Sequence, residues 1–169
     1  MSIALQRVDY DDPQHQRDLV TLMNLYASSP SGGGQPLSLQ VQASLAQQLS
    51  NISHAFSALA YAEAMAVGVV NCFQGFSTFR CRPLLNIHDL IVHPDYRGQG
   101  ISQLLLAHVE QEAIARGCCK LTLEVLQGNT AARGAYTKFG FQAYELDPAM
   151  GQAIFLEKRL GVDSANHAD

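Results

Sequence analysis

The stretch His93-Pro94-Asp95-Tyr96-Arg97-Gly98-Gln99-Gly100-Ile101-Ser102 follows an apolar run of strand character and precedes an amphipathic helix that starts near Ile101. A strand that turns sharply into a helix leaves the first N–H groups of that helix without intrahelical acceptors. Their partial positive charge can hold a diphosphate. Gly98 and Gly100 tolerate unusual dihedrals and let a ligand approach the backbone, while Arg97 can add a charge-assisted contact. An ordinary connecting turn is the plain alternative, and the flanking sequence has to separate the two.

Upstream, residues 3–8 alternate apolar and polar and predict a strand. Residues 13–27 carry Leu19, Leu22, Met23 and Tyr26 at helical spacing. Residues 28–36 are too rich in Ser, Gly and Pro for a regular element; they form either a connector or a flexible rim over a cleft. A second helix is predicted at 39–49. A β-meander follows at 56–61, 67–73 and 85–92, with a turn at Ala62-Glu63-Ala64-Met65 and an interruption at Gly75.

Downstream, Ile101, Leu104, Leu105, Val109 and Ala113 mark one helical face that Gly117 terminates. Residues 121–126 form a nearly continuous apolar strand, as expected where both sheet faces are covered. Asn129 is a good N-cap for a helix whose Ala132, Tyr136 and Phe139 share a face and which Gly140 ends. Residues 141–146 and 153–160 complete the pattern as strands around Asp147-Pro148. Residues 1–160 are thus expected to form a single domain, with 161–169 as a flexible tail.

Composition bounds the chemistry. The chain has 169 residues, 47% hydrophobic and 15% charged, which supplies one sizeable core but not two. A formal charge of −4 with interspersed signs shows no nucleic-acid footprint and no polybasic membrane patch, and tilts mildly toward a cationic substrate. With no membrane-length apolar run and no apolar segment near Met1, a soluble cytoplasmic protein is expected. Cys72, Cys81, Cys118 and Cys119 form no Cys-x-x-Cys pair and lie beside no histidine cluster of zinc spacing, so no metal is expected.

Arg97-x-x-Gly100-x-Ser102, then a helix and a strand, then Asn129-x-x-Ala132-x-x-x-Tyr136-x-x-x-Gly140-Phe141, resemble the GNAT superfamily of acetyl-CoA-dependent N-acetyltransferases. The cofactor signature of that family is Arg or Gln, two residues, Gly, one residue, and Gly or Ala. Ser102 departs at the last place, though it is small enough to keep the approach open. The resemblance is strongest over residues 86–141. It implies an α/β (α+β) GNAT fold: a mixed central sheet of about six to seven strands, splayed in the middle, with helices on both faces. Acetyl-CoA would then lie between the strand ending at Val92 and the strand ending at Leu126. The main chain of Arg97, Gly98, Gln99, Gly100, Ile101 and Ser102 would hold its pyrophosphate. Backbone groups of Leu90 and Val92 would pair with the pantetheine like an added strand. The amide of Leu90 or Ile91 would face the developing oxyanion. Asn129, at the same helix start as Ala132, would touch the pantetheine arm or serve as a cap alone.

Acetyl transfer to an amine needs an unprotonated nucleophile, oxyanion stabilisation and a proton for the departing thiolate. By resemblance Tyr136 supplies that proton; core packing is its other reading. Three side chains compete as base. Glu124 interrupts an apolar strand twelve positions before Tyr136, as a glutamate does in family members that acetylate ribosomal-protein N-termini. His88 lies where other members carry a relay residue and has a reference pKa near neutrality. Asp89 faces away from His88 if the strand is regular. Loss of the amine proton to water is the remaining route. Phe73, Phe76, Phe79 and Tyr144 either pack in the core or wall the acceptor side. The expected acceptor is a small-molecule primary amine, or a peptide or protein amine. A homodimer paired through the terminal strands is compatible with the pattern. The alternatives are a catalytically idle acyl-CoA-binding sensor or regulatory module, and a turn for another phosphorylated ligand.

Overall fold

The alternating apolar segments of the first half become β1 (Ile3–Arg7), β2 (Ala55–Ala62), β3 (Met65–Ser77) and β4 (Arg82–Val92), each antiparallel to the next. They do so in a computed structural model that describes residues 2–160. β5 (Leu121–Leu123) then joins β4 in parallel, so the sheet is mixed and its order is the order of the chain. A parallel neighbour requires a crossover, which α3 (Ile101–Ala115) provides.

Local sequence explains the helix ends. Asp12 accepts from the backbone N–H of Gln14 and His15, and with Pro13 in the first turn it starts α1 (Pro13–Ala27). Ser38 caps α2 (Leu39–Ser50) through the Val41 N–H. Asn129 accepts from the Ala132 N–H at 3.2 Å and starts α4 (Thr130–Phe139), which Gly140 ends in the left-handed region at φ 110°.

The sheet separates two apolar layers. On one face Leu19 and Leu22 of α1 and Leu49 of α2 pack on Leu59, Val69 and Ile91. On the other Ile101, Leu105, Leu106, Val109 and Ala113 of α3 pack on Ala58, Ala60, Val70, Leu85 and Ile87. The small residues Ala58, Ala60 and Gly68 let α3 lie close. A Cβ on Gly68 would meet Leu105 Cδ1 at 3.1 Å and the Ile91 carbonyl oxygen at 3.2 Å. No described helix is long and apolar enough to cross a membrane.

Several expectations need correction. The described sheet has five strands, not six to seven: residues 141–146 and 153–160 form no strand, and the one isolated bridge there joins Glu145 to Gln152, just before the second segment. The last of these segments leaves Ile154, Phe155 and Leu156 exposed, so its strand-like composition finds no partner there. β3 runs through Gly75 without a break, because the missing Cβ makes room for the Leu84 side chain opposite. On α3 the buried face takes Leu106 rather than Leu104, which is 42% exposed. Residues 28–36 contain a short 3-10 turn at Pro30–Gly32. The predicted tail at 161–169 lies outside the described residues.

Candidate active site

Only three residue pairs join β4 to β5: Leu85 with Leu121, Asn86 with Thr122 and Ile87 with Leu123. The predicted strand 121–126 therefore stops at Leu123, and β4 continues through residues 88–92 with no strand of the described residues beside it on that side. The sheet opens at this point, and the cause is local. In the β3–β4 ladder Asn71 pairs with Asp89 and Cys72 with Ile87, so His88 is an extra residue in β4. Such a bulge bends its strand and increases its twist. Here it falls one residue past the last pair with β5, and it turns β4 away.

The bulge also corrects the expected orientation of two candidate bases. Because the strand is not regular, His88 and Asp89 share the face covered by α1. The His88 ring packs edge-on against Phe73, with centroids 5.5 Å apart, and Phe73 belongs to the layer under α1. Asp89 accepts from Asn71 Nδ2 at 3.0 Å, and the same amide reaches Met23 Sδ on α1 at 3.2 Å. Glu124 sits just beyond the last residue of β5, with its carboxylate 3.5 Å from Asn86 Nδ2. His88 and Glu124 thus flank the apex of the opening, and Asp89 lies one residue deeper along β4.

At the far end of β4 the chain makes a 3-10 turn, Pro94–Tyr96, and enters α3. Arg97 Nε donates to the Val92 carbonyl at 3.2 Å and ties the turn to the strand end. Gly98 and Gly100 adopt φ of 77° and 81°, and a Cβ on either would meet nothing within 4 Å. Among the described residues, the amides of Gly98, Gln99, Gly100, Ile101 and Ser102 donate to no protein group. A run of unpaired N–H groups at a helix start, open to solvent, is a fitting cradle for a diphosphate.

Over the opening lies α4, held to α3 by Gln103 Nε2 donating to the Ala135 carbonyl at 2.9 Å. Burial pushes the Tyr136 phenol up to about 12, and the Tyr26 phenol and Asp89 carboxylate act in the same direction. Tyr26 is raised as well, by burial and then by Asp89. Tyr26 of α1, Asp89 of β4 and Tyr136 of α4 are thus electrostatically coupled to one another. The 28–36 loop closes the rim of the opening: Tyr26 Oη donates to the Ser31 carbonyl at 3.2 Å, and Asn129 Nδ2 reaches Ser31 Oγ at 3.4 Å.

Other candidates fall elsewhere. Phe76 and Phe79 stand 59% and 85% exposed around the β3–β4 turn and belong neither to the core nor to the opening. Tyr144 is half exposed under the Lys120 ammonium, 5.0 Å from its ring centre. Burial pushes the Cys72 thiol up to about 12 and raises Cys118, which suits packing material rather than nucleophiles. Tyr26 and Asn71 were not singled out from sequence as site residues. For Asn71 a signal existed, since an amide in the apolar run Val67-Gly68-Val69-Val70-Asn71-Cys72-Phe73 must find buried partners.

A model of the acetyltransferase (GNAT) family matches residues 19–141. An acetyltransferase of Yersinia pestis is 42% identical over 72 residues, which is 43% of this chain and 46% of that protein, so the match spans less than half of the relative's length. An aminoglycoside acetyltransferase from an uncultured soil metagenomic sample, solved in complex with sisomicin, superposes with a TM-score of 0.77 at 19% identity, covering 94% of this chain and 96% of the other. The aminoglycoside acetyltransferase AAC(6')-Iy, solved with a bisubstrate analogue that contains CoA, gives a TM-score of 0.74 at 17% identity over 95% of this chain and all of the other.

Proposed function

The chain belongs to the GNAT acetyltransferase family, and from that premise we propose that it moves an acetyl group from acetyl-CoA to a primary amine by direct transfer, in a cytoplasmic setting. The observation that carries this reading is the pairing of an unpaired-amide turn at residues 98–102 with a sheet opening between β4 and β5, together with a buried Tyr136 coupled electrostatically to Tyr26 and Asp89.

When bound, acetyl-CoA supplies the acetyl thioester. The residues around the opening fit it. Arg97, Gly98, Gln99, Gly100, Ile101 and Ser102 would hold the diphosphate, backbone groups of Leu90 and Val92 would line the pantetheine arm, and Asn129 and Ala132 would border it from α4. In the transfer, the amine nitrogen bonds to the acetyl carbon, the carbon–sulfur bond breaks, the amine gives up a proton and the sulfur gains one. Tyr136 donates to the sulfur: its raised phenol stays protonated at neutral pH and so remains a donor. The amide of Leu90 or Ile91 stabilises the charge that develops on the carbonyl oxygen. Asp89 and Glu124 give the acceptor side a negative character that attracts an ammonium ion. At the apex Glu124 or His88 accepts the amine proton, with water as the remaining route.

The test is incubation with acetyl-CoA and a panel of aminoglycosides, polyamines, amino acids and peptides, reading free thiol. Release with at least one amine is expected. Tight acetyl-CoA binding with no release across the panel would replace the enzyme by an acyl-CoA-binding module. Failure of saturating acetyl-CoA to raise the melting temperature would remove the cofactor itself.

A further inference from the structure

Beneath the opening runs a chain of hydrogen bonds that acetyl transfer, as described above, leaves unused. Tyr10 Oη lies 2.7 Å from Ser57 Oγ, Ser57 Oγ lies 2.6 Å from Asn71 Oδ1, and Asn71 Nδ2 lies 3.0 Å from Asp89 Oδ2. Ser57 and Asn71 are buried, at 2% and 3% exposure, and they cross the sheet from β2 to β3 to β4.

The direction of every proton in this chain is determined. An amide oxygen cannot donate, so the single hydroxyl proton of Ser57 goes to Asn71 Oδ1, and the Tyr10 hydroxyl must then donate to Ser57. The reversed Asn71 amide would set its oxygen against the Asp89 carboxylate, so Ser57 fixes the amide with its N–H toward Asp89. All three donors point the same way, which lets each bond polarise the next. Burial raises the Tyr10 phenol and keeps its proton in place. Asp89 thus meets one fixed donor, Asn71, and lies on the part of β4 beyond its last pair with β5, where its charge is also felt by Tyr26 and Tyr136.

We infer that Asn71 is a positioning residue for the acceptor: held by Ser57 and Tyr10, it fixes the Asp89 carboxylate in the one rotamer that meets the ammonium group of a cationic primary amine beside Tyr136. This rests on the acetyl-transfer reading and adds to it the class of substrate and the residues that orient it. It also gives the β1–α1 connection, which carries Tyr10, a part in amine recognition. A purely structural role for the chain would instead serve to satisfy the Asn71 amide in the core, with no effect specific to the amine.

A double-mutant cycle on the best amine of the panel separates these roles. Asn71→Ala is expected to lower kcat/KM for the amine about tenfold or more, mainly through KM, with the KM for acetyl-CoA unchanged. In an Asp89→Ala background the same substitution should cost less than about twofold, because its acceptor is gone. An equal loss in both backgrounds, or a loss shared equally by acetyl-CoA, overturns the positioning role. If Asn71→Ala does not fold, Ser57→Ala and Tyr10→Phe carry the cycle, with losses decreasing in that order, and equal losses with and without Asp89 again overturn it. If the wild-type protein transfers nothing, the enzymatic reading falls by itself. The cycle is then read as amine binding by calorimetry in the presence of CoA, where wild-type binding that does not depend on both Asn71 and Asp89 overturns the inference.

Discussion

The two faces of the sheet are built from the same five strands but on different terms. Under α3 the contacts are apolar from Phe56 to Ala113, and the main ion pair, Arg116 with Glu112 at 2.6 Å, lies at the edge. Under α1 the layer is interrupted by Ser57, Asn71 and Asp89, joined to one another and to Tyr10. Burying polar groups is costly unless each finds its partner, and here each does. One face therefore supplies cohesion and holds the cradle in place. The other gives up part of its apolar contact to orient charge toward the opening.

If that division is right, lesions on the two faces should separate stability from kinetics. The largest effect is expected from Leu105→Ala under α3: a fully buried leucine lost to a cavity costs about 2–5 kcal/mol. Chemical denaturation measures it, and kcat per folded molecule should not change. A fall in kcat for the folded fraction would break the division. Tyr136→Phe should do the reverse, slowing thiol release about tenfold or more, roughly 1.4 kcal/mol in the barrier, with little change in melting temperature. An unchanged rate would take Tyr136 out of the mechanism.

Gly100→Ala sharpens the comparison at the boundary between cradle and core. Its φ of 81° lies where a Cβ costs about 1–2 kcal/mol, although the space around it is open. We expect a several-fold higher KM for acetyl-CoA and an unchanged KM for the amine; the opposite split would place the cofactor elsewhere. The last effect concerns pH. The Tyr136 phenol is raised in the folded state from 10.0 to about 12, so the folded protein holds this proton where the unfolded chain has lost it. That contribution to stability is complete below pH 10 and is lost as pH climbs toward 12. Denaturation across this range should show a shallower alkaline decline for Tyr136→Phe, and the variant's rate profile around neutral pH should keep its shape while losing height.

Much of this was legible in the residues. The cap at Asn129, the glycine stop at Gly140 and the α1 bounds follow from local chemistry that tertiary contacts did not override. The turn of unpaired amides was legible because it needs only a strand, a glycine turn and a helix start. The opening was legible only through the family resemblance, because it depends on an unpaired residue in β4, and the apolar run from Leu85 to Val92 reads the same with or without a bulge. Periodicity accordingly put His88 and Asp89 on opposite faces, and the register put them on one. Tyr26 was legible as a helix-face residue, but its partner Asp89 lies more than sixty positions away, beyond the reach of any local pattern. The strands expected at 141–146 and 153–160 had the right composition, but composition specifies a pleated, half-buried surface only where a neighbour offers one.

The extra residue in β4 has a consequence for how this scaffold tolerates change in length. Residues on either side of His88 keep their faces if it is excised: Ile87 would still look toward α3, Asp89 toward α1 and Leu90 toward α3. A chain shortened by this one position should therefore fold with its core intact yet straighten β4 and let it zip further along β5. Slower hydrogen exchange at residues 88–92, together with lost acetyl-CoA binding, would mark a molecule that has traded its cleft for a longer seam.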